Sequence, residues 1–255
     1  TYLHFLPCGY FVVLACSSPR VREAITWAVV LFCAFLVVDG LLQFFSGKNI
    51  LGYPLQGDSV TGMFYPKQRL ALYLAVLAPL CMNFLVQRTP SILSIFLFGV
   101  PYLFVVLVSL KRNSWLMLFV GILFFVLFRC QGSMKKLSIM IAVYFFIVVT
   151  VVALIYSNSL AFRVQVRHSI GLLSSDIEMV DRASNHRLAL WNVGVKIFSD
   201  NPILGVGPRG YRHNFENYAG QENFWIENFN SSQTHPHLMS LEVLVETGLI
   251  GFVSY

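Results

Sequence analysis

Long runs of apolar side chains alternate along this chain with mostly short polar links. A hydrocarbon core of about 30 Å takes roughly 20 apolar residues per helix. The runs that approach this length cover residues 24–45, 70–86, 91–110, 114–128 and 137–156. Two further runs, at 3–16 and 238–255, resemble parts of spans near the ends of the chain. The pattern therefore predicts about seven helical crossings.

The continuity of these runs decides the fold class. A transmembrane β-strand would alternate lipid-facing and polar residues over about ten positions. The runs here are unbroken, so the sequence predicts an all-α membrane protein, a polytopic bundle of transmembrane helices. The chain begins at Thr1 without a signal-peptide pattern and ends at Tyr255 within an apolar run. We therefore expect a fragment of a longer membrane protein.

One long polar segment, residues 157–237, interrupts this arrangement. It holds seven of the 18 Lys and Arg residues and five of the six His residues. Ser184 and Asn185 are typical N-cap residues, and the apolar spacing after them predicts an amphipathic helix that ends before Pro202. The sequence thus predicts transmembrane helices with short loops over 1–156, a large, partly helical loop outside the membrane over 157–237, and a truncated transmembrane helix over 238–255.

Composition and charge narrow the function. The chain is 56% hydrophobic and 12% charged, about half the charged fraction of a soluble domain, which excludes an ordinary water-soluble enzyme. It also excludes a disordered chain and a polybasic nucleic-acid binder, so no nucleic acid is expected as a partner. Counting Lys and Arg in the short loops gives six on one face and five on the other, which places the long loop outside. On that topology 12 of the 18 cations lie outside, which indicates a site for an anionic ligand.

Three cations are candidate ligands for such an anion. Lys111 and Arg112 stand between two predicted spans with almost no loop. They are either interfacial anchors that reach the headgroups or a phosphate site, because a guanidinium matches phosphate oxygens two at a time. Arg209 lies in a glycine-rich stretch after the predicted helix. A lone Gly-x-Gly without a preceding strand does not indicate nucleotide binding, so we interpret the glycines as a tight turn.

Titratable residues gather where the long loop meets the last apolar run. His235 and His237 flank a proline, and Glu242 and Glu246 follow one and two turns later. A histidine at a membrane boundary titrates near neutrality and is a natural proton acceptor. A zinc site is the alternative, but this spacing fits no common zinc signature. The glutamates, like Asp39 in an earlier span, are either functional or buried and hydrogen-bonded to neighbouring helices.

Several of these residues resemble motifs of the O-antigen ligase and polymerase superfamily of bacterial inner-membrane glycosyltransferases. The most specific element is His237 followed by Glu-x-Gly-x-x-Gly at 246–251. Further similar stretches lie at 61–64, 109–112, 185–191 and 201–208. Leu238 stands where the family often has Asn, and residues 67–71 differ from its Asn-x-x-Ala, so the subtype stays open.

The resemblance implies transfer of a glycan from an undecaprenyl-pyrophosphate donor at the periplasmic face of the inner membrane, without a metal ion or other cofactor. His237 would be the general base or would orient the acceptor. The residues that hold the donor pyrophosphate would be three arginines, namely Arg112, Arg187 and Arg209. Lys111 and Glu246 would support them, with Glu246 positioning local structure.

The acceptor is left open by the sequence. Transfer to lipid A–core would make the protein an O-antigen ligase, transfer to a growing polysaccharide a polymerase, and transfer to a protein hydroxyl a protein O-glycan ligase. A transporter for a lipid-linked glycan would use the same cations without any chemistry. A scaffold for polysaccharide assembly gives no reason for histidine and arginine residues at the membrane boundary.

Overall fold

In the computed structural model the described residues are 5–88, 92–129, 134–221, 223–229 and 233–255, and most of them are helical, which confirms the all-α class. Four helices are long and apolar enough to cross a membrane: Pro19–Ser46, Leu70–Arg88, Arg112–Arg129 and Ser138–Asn158. Each of the four coincides with a predicted run. The chain forms two compact units, Thr1–Gln165 and Val166–Tyr255.

The first unit contains the long helices. Its elements are α1 (Phe5–Ser17), α2 (Pro19–Ser46), a 3₁₀ turn (Gly62–Phe64), α3 (Leu70–Arg88), α4 (Ile92–Val108), α5 (Arg112–Arg129), α6 (Met134–Asn158) and the first half of α7 (Leu160–Gly171). A helix satisfies its own backbone hydrogen bonds, which is why continuous apolar runs become helices. The run predicted over 91–110 becomes α4, which has 17 residues.

Helix α3 lies at the centre of this unit and packs against α2, α4 and α5. Its contact faces carry small buried residues, among them Ala71, Ala75 and Ala78. Small side chains let helices approach closely, which is the main route to helix association between apolar surfaces. On α2, Gly40 also lets two helices approach closely, because a Cβ there would lie 2.7 Å from a methyl group of Val105 on α4.

The second unit is built from shorter helices. They are α8 (Ile177–Ala183), α9 (Arg187–Asp200), α10 (Gly210–Ala219), α11 (Phe224–Phe229) and α12 (Met239–Ser254). A buried apolar core joins α9, α10 and α12; it consists of Leu190, Val193, Ile197, Tyr211, Phe215, Leu241 and Val245. The buried Tyr211 hydroxyl donates to the Leu190 carbonyl at 3.0 Å, so its polar end is satisfied.

The predicted amphipathic helix corresponds to α9, but it begins later than the predicted N-cap at 184–185 implies. Asn185 and His186 both have left-handed backbone, with φ 60° and 56°, so the helix begins only at Arg187. Ser184 keeps a capping role, because its hydroxyl accepts the Arg187 N–H at 3.3 Å. The end of the helix at Asp200 agrees with the prediction.

Helix α12 is broken at Gly248, which has φ 64° and ψ −166°. The segment 202–207 lies against this break and exchanges backbone hydrogen bonds with the helix. The N–H to carbonyl pairs are Val206 to Val245, Gly207 to Glu246 and Leu249 to Pro202, each at 2.9 Å. The glycine-rich stretch is a turn, as expected, and it supplies partners for the groups that the break leaves unpaired.

Two glycines make this close approach possible. A Cβ on Gly248 would lie 2.2 Å from the Ile203 carbonyl oxygen, and one on Gly205 would lie 2.6 Å from the backbone after Glu246. Both glycines have positive φ, which side-chain-bearing residues rarely adopt. The two sequence motifs at 201–208 and 246–251 therefore form one packed structure.

Helix α12 packs with α9 and α10 in the second unit. The boundaries at 156/157 and 237/238, and the span over 238–255, stay predictions.

Gly248→Ala is expected to destabilise the second unit by more than about 1 kcal/mol, because it combines an unfavourable φ with a backbone clash. Thermal unfolding of the purified protein in detergent, followed by intrinsic fluorescence, measures this as a lower midpoint. Gly99→Ala is the control, since a Cβ at Gly99 in α4 meets no atom within 4 Å. An unchanged midpoint for Gly248→Ala would contradict the packing described here.

Candidate functional site

Lys111 and Arg112 lie at the tight turn between α4 and α5. Leu110 turns the chain with φ 55°. The Lys111 carbonyl accepts the N–H groups of Ser114 and Trp115 at 3.0 and 3.2 Å, so Lys111 precedes α5 and Arg112 is its first residue. Lys111 is exposed and Arg112 half-buried. Both charges thus stand at a helix N-terminus, where the backbone also favours an anion.

A second motif packs against this turn. The Val60 N–H donates to the Val108 carbonyl at 3.4 Å. The Ser59 hydroxyl donates to the Ser109 carbonyl at 2.7 Å, and both serines are buried. The stretch at 61–64 and the stretch at 109–112, each singled out by its resemblance, are therefore neighbours in the first unit.

This end of the first unit is strongly positive. The loop 47–69 joins α2 to α3, and the turn 109–111 joins α4 to α5, so both lie at one end of the helices. The basic residues at this end are Lys48, Lys67, Arg69, Lys111 and Arg112. Asp58 is the one exposed acidic residue in the same described stretches. Such an excess of positive charge attracts anionic ligands.

Two buried polar residues on α2 anchor the loop. Asp39 and Gln43 are one turn apart, and both are completely buried. The Asp39 carboxylate accepts the Ile50 N–H at 2.9 Å and lies 3.4 Å from the Asn49 side-chain amide. Asp39 is thus a buried, hydrogen-bonded carboxylate. Sequence reasoning missed Gln43, although an amide within an apolar helix is costly to bury unless it is bonded.

In the second unit His237 lies beside α9. The Trp191 indole N–H donates to the Pro236 carbonyl at 3.0 Å, which attaches the segment before α12 to α9. The rings of His235 and His237 meet edge to face, with centroids 4.2 Å apart. Arg187 is the first residue of α9, one turn before Trp191. The structure thus brings together two of the predicted site residues, His237 and Arg187.

The surroundings of His237 favour its neutral form. Partial desolvation of the ring lowers its pKa below the ordinary value of 6.5, and the neighbouring His235 and Arg187 lower the pKa further. Desolvation and positive neighbours both disfavour the imidazolium. At neutral pH the ring is therefore uncharged, which is the form that accepts a proton.

Arg209 and Glu246 contribute to the second unit through the turn at 202–207. Arg209 is exposed and precedes α10 with φ 61°. Two residues earlier, the Gly207 N–H is bound to the Glu246 carbonyl. Glu246 thus contributes to local structure through its backbone. Among the described residues, no hydrogen bond or ion pair joins Arg209 to Arg187 or His237.

His186 was missed from the sequence. Its Nδ1 lies 2.8 Å from the Asp181 carboxylate, and its ring stacks on Phe224 with centroids 3.5 Å apart. Its carbonyl accepts the Trp225 indole N–H at 3.0 Å. These contacts fix the residue that precedes Arg187. The contacts with Phe224 and Trp225 connect segments far apart in sequence, so local patterning gives no signal for them.

The histidine pair was also considered as a metal site. His235 Nδ1 lies 2.6 Å from the Thr234 hydroxyl, within hydrogen-bond distance. Within the ranges that the structure describes, no three His, Cys, Asp or Glu side chains are grouped so that they could hold a metal ion.

Arg187→Gln is expected to raise the pKa of His237 towards 6.5, because one positive charge that opposes protonation is removed. Histidine-labelled protein in micelles, titrated by ¹⁵N NMR, reports this value directly. Lys196→Gln, at an exposed position of the same helix, removes the same charge elsewhere and serves as the control. A pKa of His237 that does not move on Arg187→Gln would show that the two side chains are not coupled.

Comparison with known proteins agrees with the resemblance. A sequence model of the O-antigen ligase family matches residues 96–255, more than half of the chain. The match includes Arg112, Arg187, Arg209, His237 and Glu246, and it leaves out the stretch at 61–64. Neither the curated proteins nor the solved structures contain a significant match. The chain belongs to the O-antigen ligase family.

Proposed function

We propose that this protein is an O-antigen ligase-like glycosyltransferase of the bacterial inner membrane. It transfers a glycan from undecaprenyl pyrophosphate to lipid A–core on the periplasmic face. Membership of the family supports the reaction class. The apolar helices support a multi-pass protein whose lipid-linked donor enters from the surrounding bilayer.

The observation that carries this proposal is the neighbourhood of His237 and Arg187. A neutral imidazole and a permanent cation lie together in the second unit. A transferase that acts on a glycosyl pyrophosphate needs a proton acceptor for the incoming hydroxyl and positive charge for the leaving group. In this proposal His237 supplies the proton acceptor and Arg187 supplies the positive charge.

The proposed step is a substitution at the anomeric carbon of the donor. His237 accepts the proton of the acceptor hydroxyl while the hydroxyl oxygen forms the new glycosidic bond. The bond between the anomeric carbon and the pyrophosphate breaks, and its electron pair leaves with undecaprenyl pyrophosphate. The proton on His237 then passes to solvent, which restores the neutral ring.

The cations hold the pyrophosphate in this proposal. The family resemblance assigns Arg112, in the first unit, and Arg187, in the second, to phosphate oxygens, since a guanidinium offers paired donors to them. Arg209 is a further contact, and Lys111 adds charge beside Arg112. Glu246 supports the site by accepting the backbone hydrogen bond of the turn that carries Arg209. Desolvated, fixed cations stabilise developing negative charge more than mobile ones do in water.

His237→Ala and Arg112→Ala are each expected to abolish glycan transfer while the protein still reaches the membrane in normal amounts. The first variant removes the proton acceptor and the second a pyrophosphate ligand. Transfer is measured in membranes of a deletion strain, with protein amount measured on the same samples. Arg129→Ala is the matched control, since Arg129 is exposed at the opposite end of α5. Wild-type transfer by both variants would overturn the site assignment.

The acceptor is identified by the product. In the same deletion strain, the proposal predicts that the protein restores glycan-modified lipid A–core. Lengthened repeat polymers would instead identify a polymerase, and glycosylated periplasmic protein a protein O-glycan ligase. A reconstituted protein that moves lipid-linked glycan across vesicles and releases no undecaprenyl pyrophosphate would identify a transporter.

A further inference from the structure

Gln43 is a buried polar side chain of the first unit whose amide oxygen and nitrogen are both hydrogen-bonded, and it has no part in the proposed chemistry. It lies on α2, one turn before the helix ends, and its exposed fraction is 0%. A buried amide without partners costs several kcal/mol in an apolar medium. A buried glutamine on an apolar helix is therefore expected to have hydrogen-bond partners within the protein.

The amide of Gln43 ties together two parts of the loop that follows α2. Its oxygen accepts the N–H groups of Thr61 and Gly62 at 2.8 and 2.7 Å. Its nitrogen donates to the Pro54 carbonyl at 2.8 Å, with longer contacts to Tyr53 and the Thr61 hydroxyl at 3.3 and 3.4 Å. An amide is the side-chain group that offers both two donor hydrogens and an oxygen able to accept two bonds.

The segment held in this way has little freedom to shift. Gly62 has φ 55°, and a Cβ on it would lie 2.9 Å from the Asp39 carboxylate. Asp39 holds the loop again through the Ile50 N–H. The residues that Gln43 fixes are therefore confined by two buried side chains that lie one turn apart on α2.

The same segment continues directly into the contacts with the turn of Arg112. Ser59 and Val60 donate to the carbonyls of Ser109 and Val108, just before that turn. A displacement of residues 59–62 thus moves or releases the start of α5. The path from Gln43 to the turn of Arg112 consists of the bonds to the Gln43 amide oxygen, one backbone hydrogen bond from Val60 and one buried hydroxyl of Ser59.

We infer that Gln43 is a positioning residue for the anion-binding turn of Lys111 and Arg112. It holds the 59–62 segment, and that segment holds the end of α4 against which the turn is built. This inference rests on the proposed function in one respect, namely that Arg112 binds the pyrophosphate of the lipid-linked donor. The mechanical part of the inference is independent of any reaction.

Gln43→Leu tests the mechanical part by hydrogen exchange and mass spectrometry on the full chain in detergent. The Thr61 and Gly62 N–H groups lose their acceptor, so exchange in 59–62 accelerates, and exchange in 109–115 accelerates with it. Gln43→Glu keeps an acceptor for both N–H groups and loses the donors, so its effect is smaller. Gln87→Leu is the matched control, since Gln87 is exposed on α3 and its amide donates to Asn83. Unchanged exchange in 109–115 on Gln43→Leu would overturn the inference.

Kinetics in proteoliposomes, with undecaprenyl-pyrophosphate-linked glycan and lipid A–core, separate positioning from stability. Mispositioning of the cations raises the KM for the donor by about tenfold in Gln43→Leu, with a smaller rise in Gln43→Glu. A purely structural role would lower the amount of active protein and leave the KM of the folded fraction unchanged, which would contradict the inference. If instead Arg112→Ala keeps full transfer, the proposed role of Arg112 fails while the exchange result stands.

Discussion

A polar group buried among apolar helices has to find its hydrogen-bond partner within the protein, because lipid supplies none. In both units this constraint joins loops to helices. In the first, Asp39 and Gln43 hold the loop 47–62 against α2. In the second, the carbonyls freed by the break at Gly248 accept N–H groups from the turn at 202–207. These bonds fix the segments next to the turn of Arg112 and next to Arg209.

The apolar pattern was sufficient to predict the long helices. A run of about 20 apolar residues has one stable backbone conformation between other apolar surfaces, so α2, α3, α5 and α6 lie where the sequence placed them. The family resemblance implies separate roles for His237 and Arg187 in one site, as proton acceptor and as pyrophosphate ligand. The hydrogen bond from Trp191 to Pro236, which attaches the segment to α9, connects residues 45 positions apart and has no local signature.

The features that the sequence did not predict depend on long-range contacts. The late start of α9 comes from left-handed backbone at Asn185 and His186, and stacking of His186 on Phe224 accompanies it. Neither residue type dictates that conformation by itself. Gln43 is a similar case. A single amide in an apolar run does not indicate its hydrogen-bond partners, because these lie in the loop that follows α2. The local sequence determines where the helices form, whereas these polar contacts determine the conformation of the segments that connect the helices.

The packing of the turn at 202–207 into α12 also bears on how this family can be recombined. Segments 201–208 and 245–251 share backbone hydrogen bonds and leave no space for a Cβ at Gly205 or Gly248. A chimaera that takes the long loop from another member has to cross over outside both segments, so that turn and broken helix come from the same parent. Natural exchange of the long loop between family members would meet the same restriction, and the two segments would be inherited together.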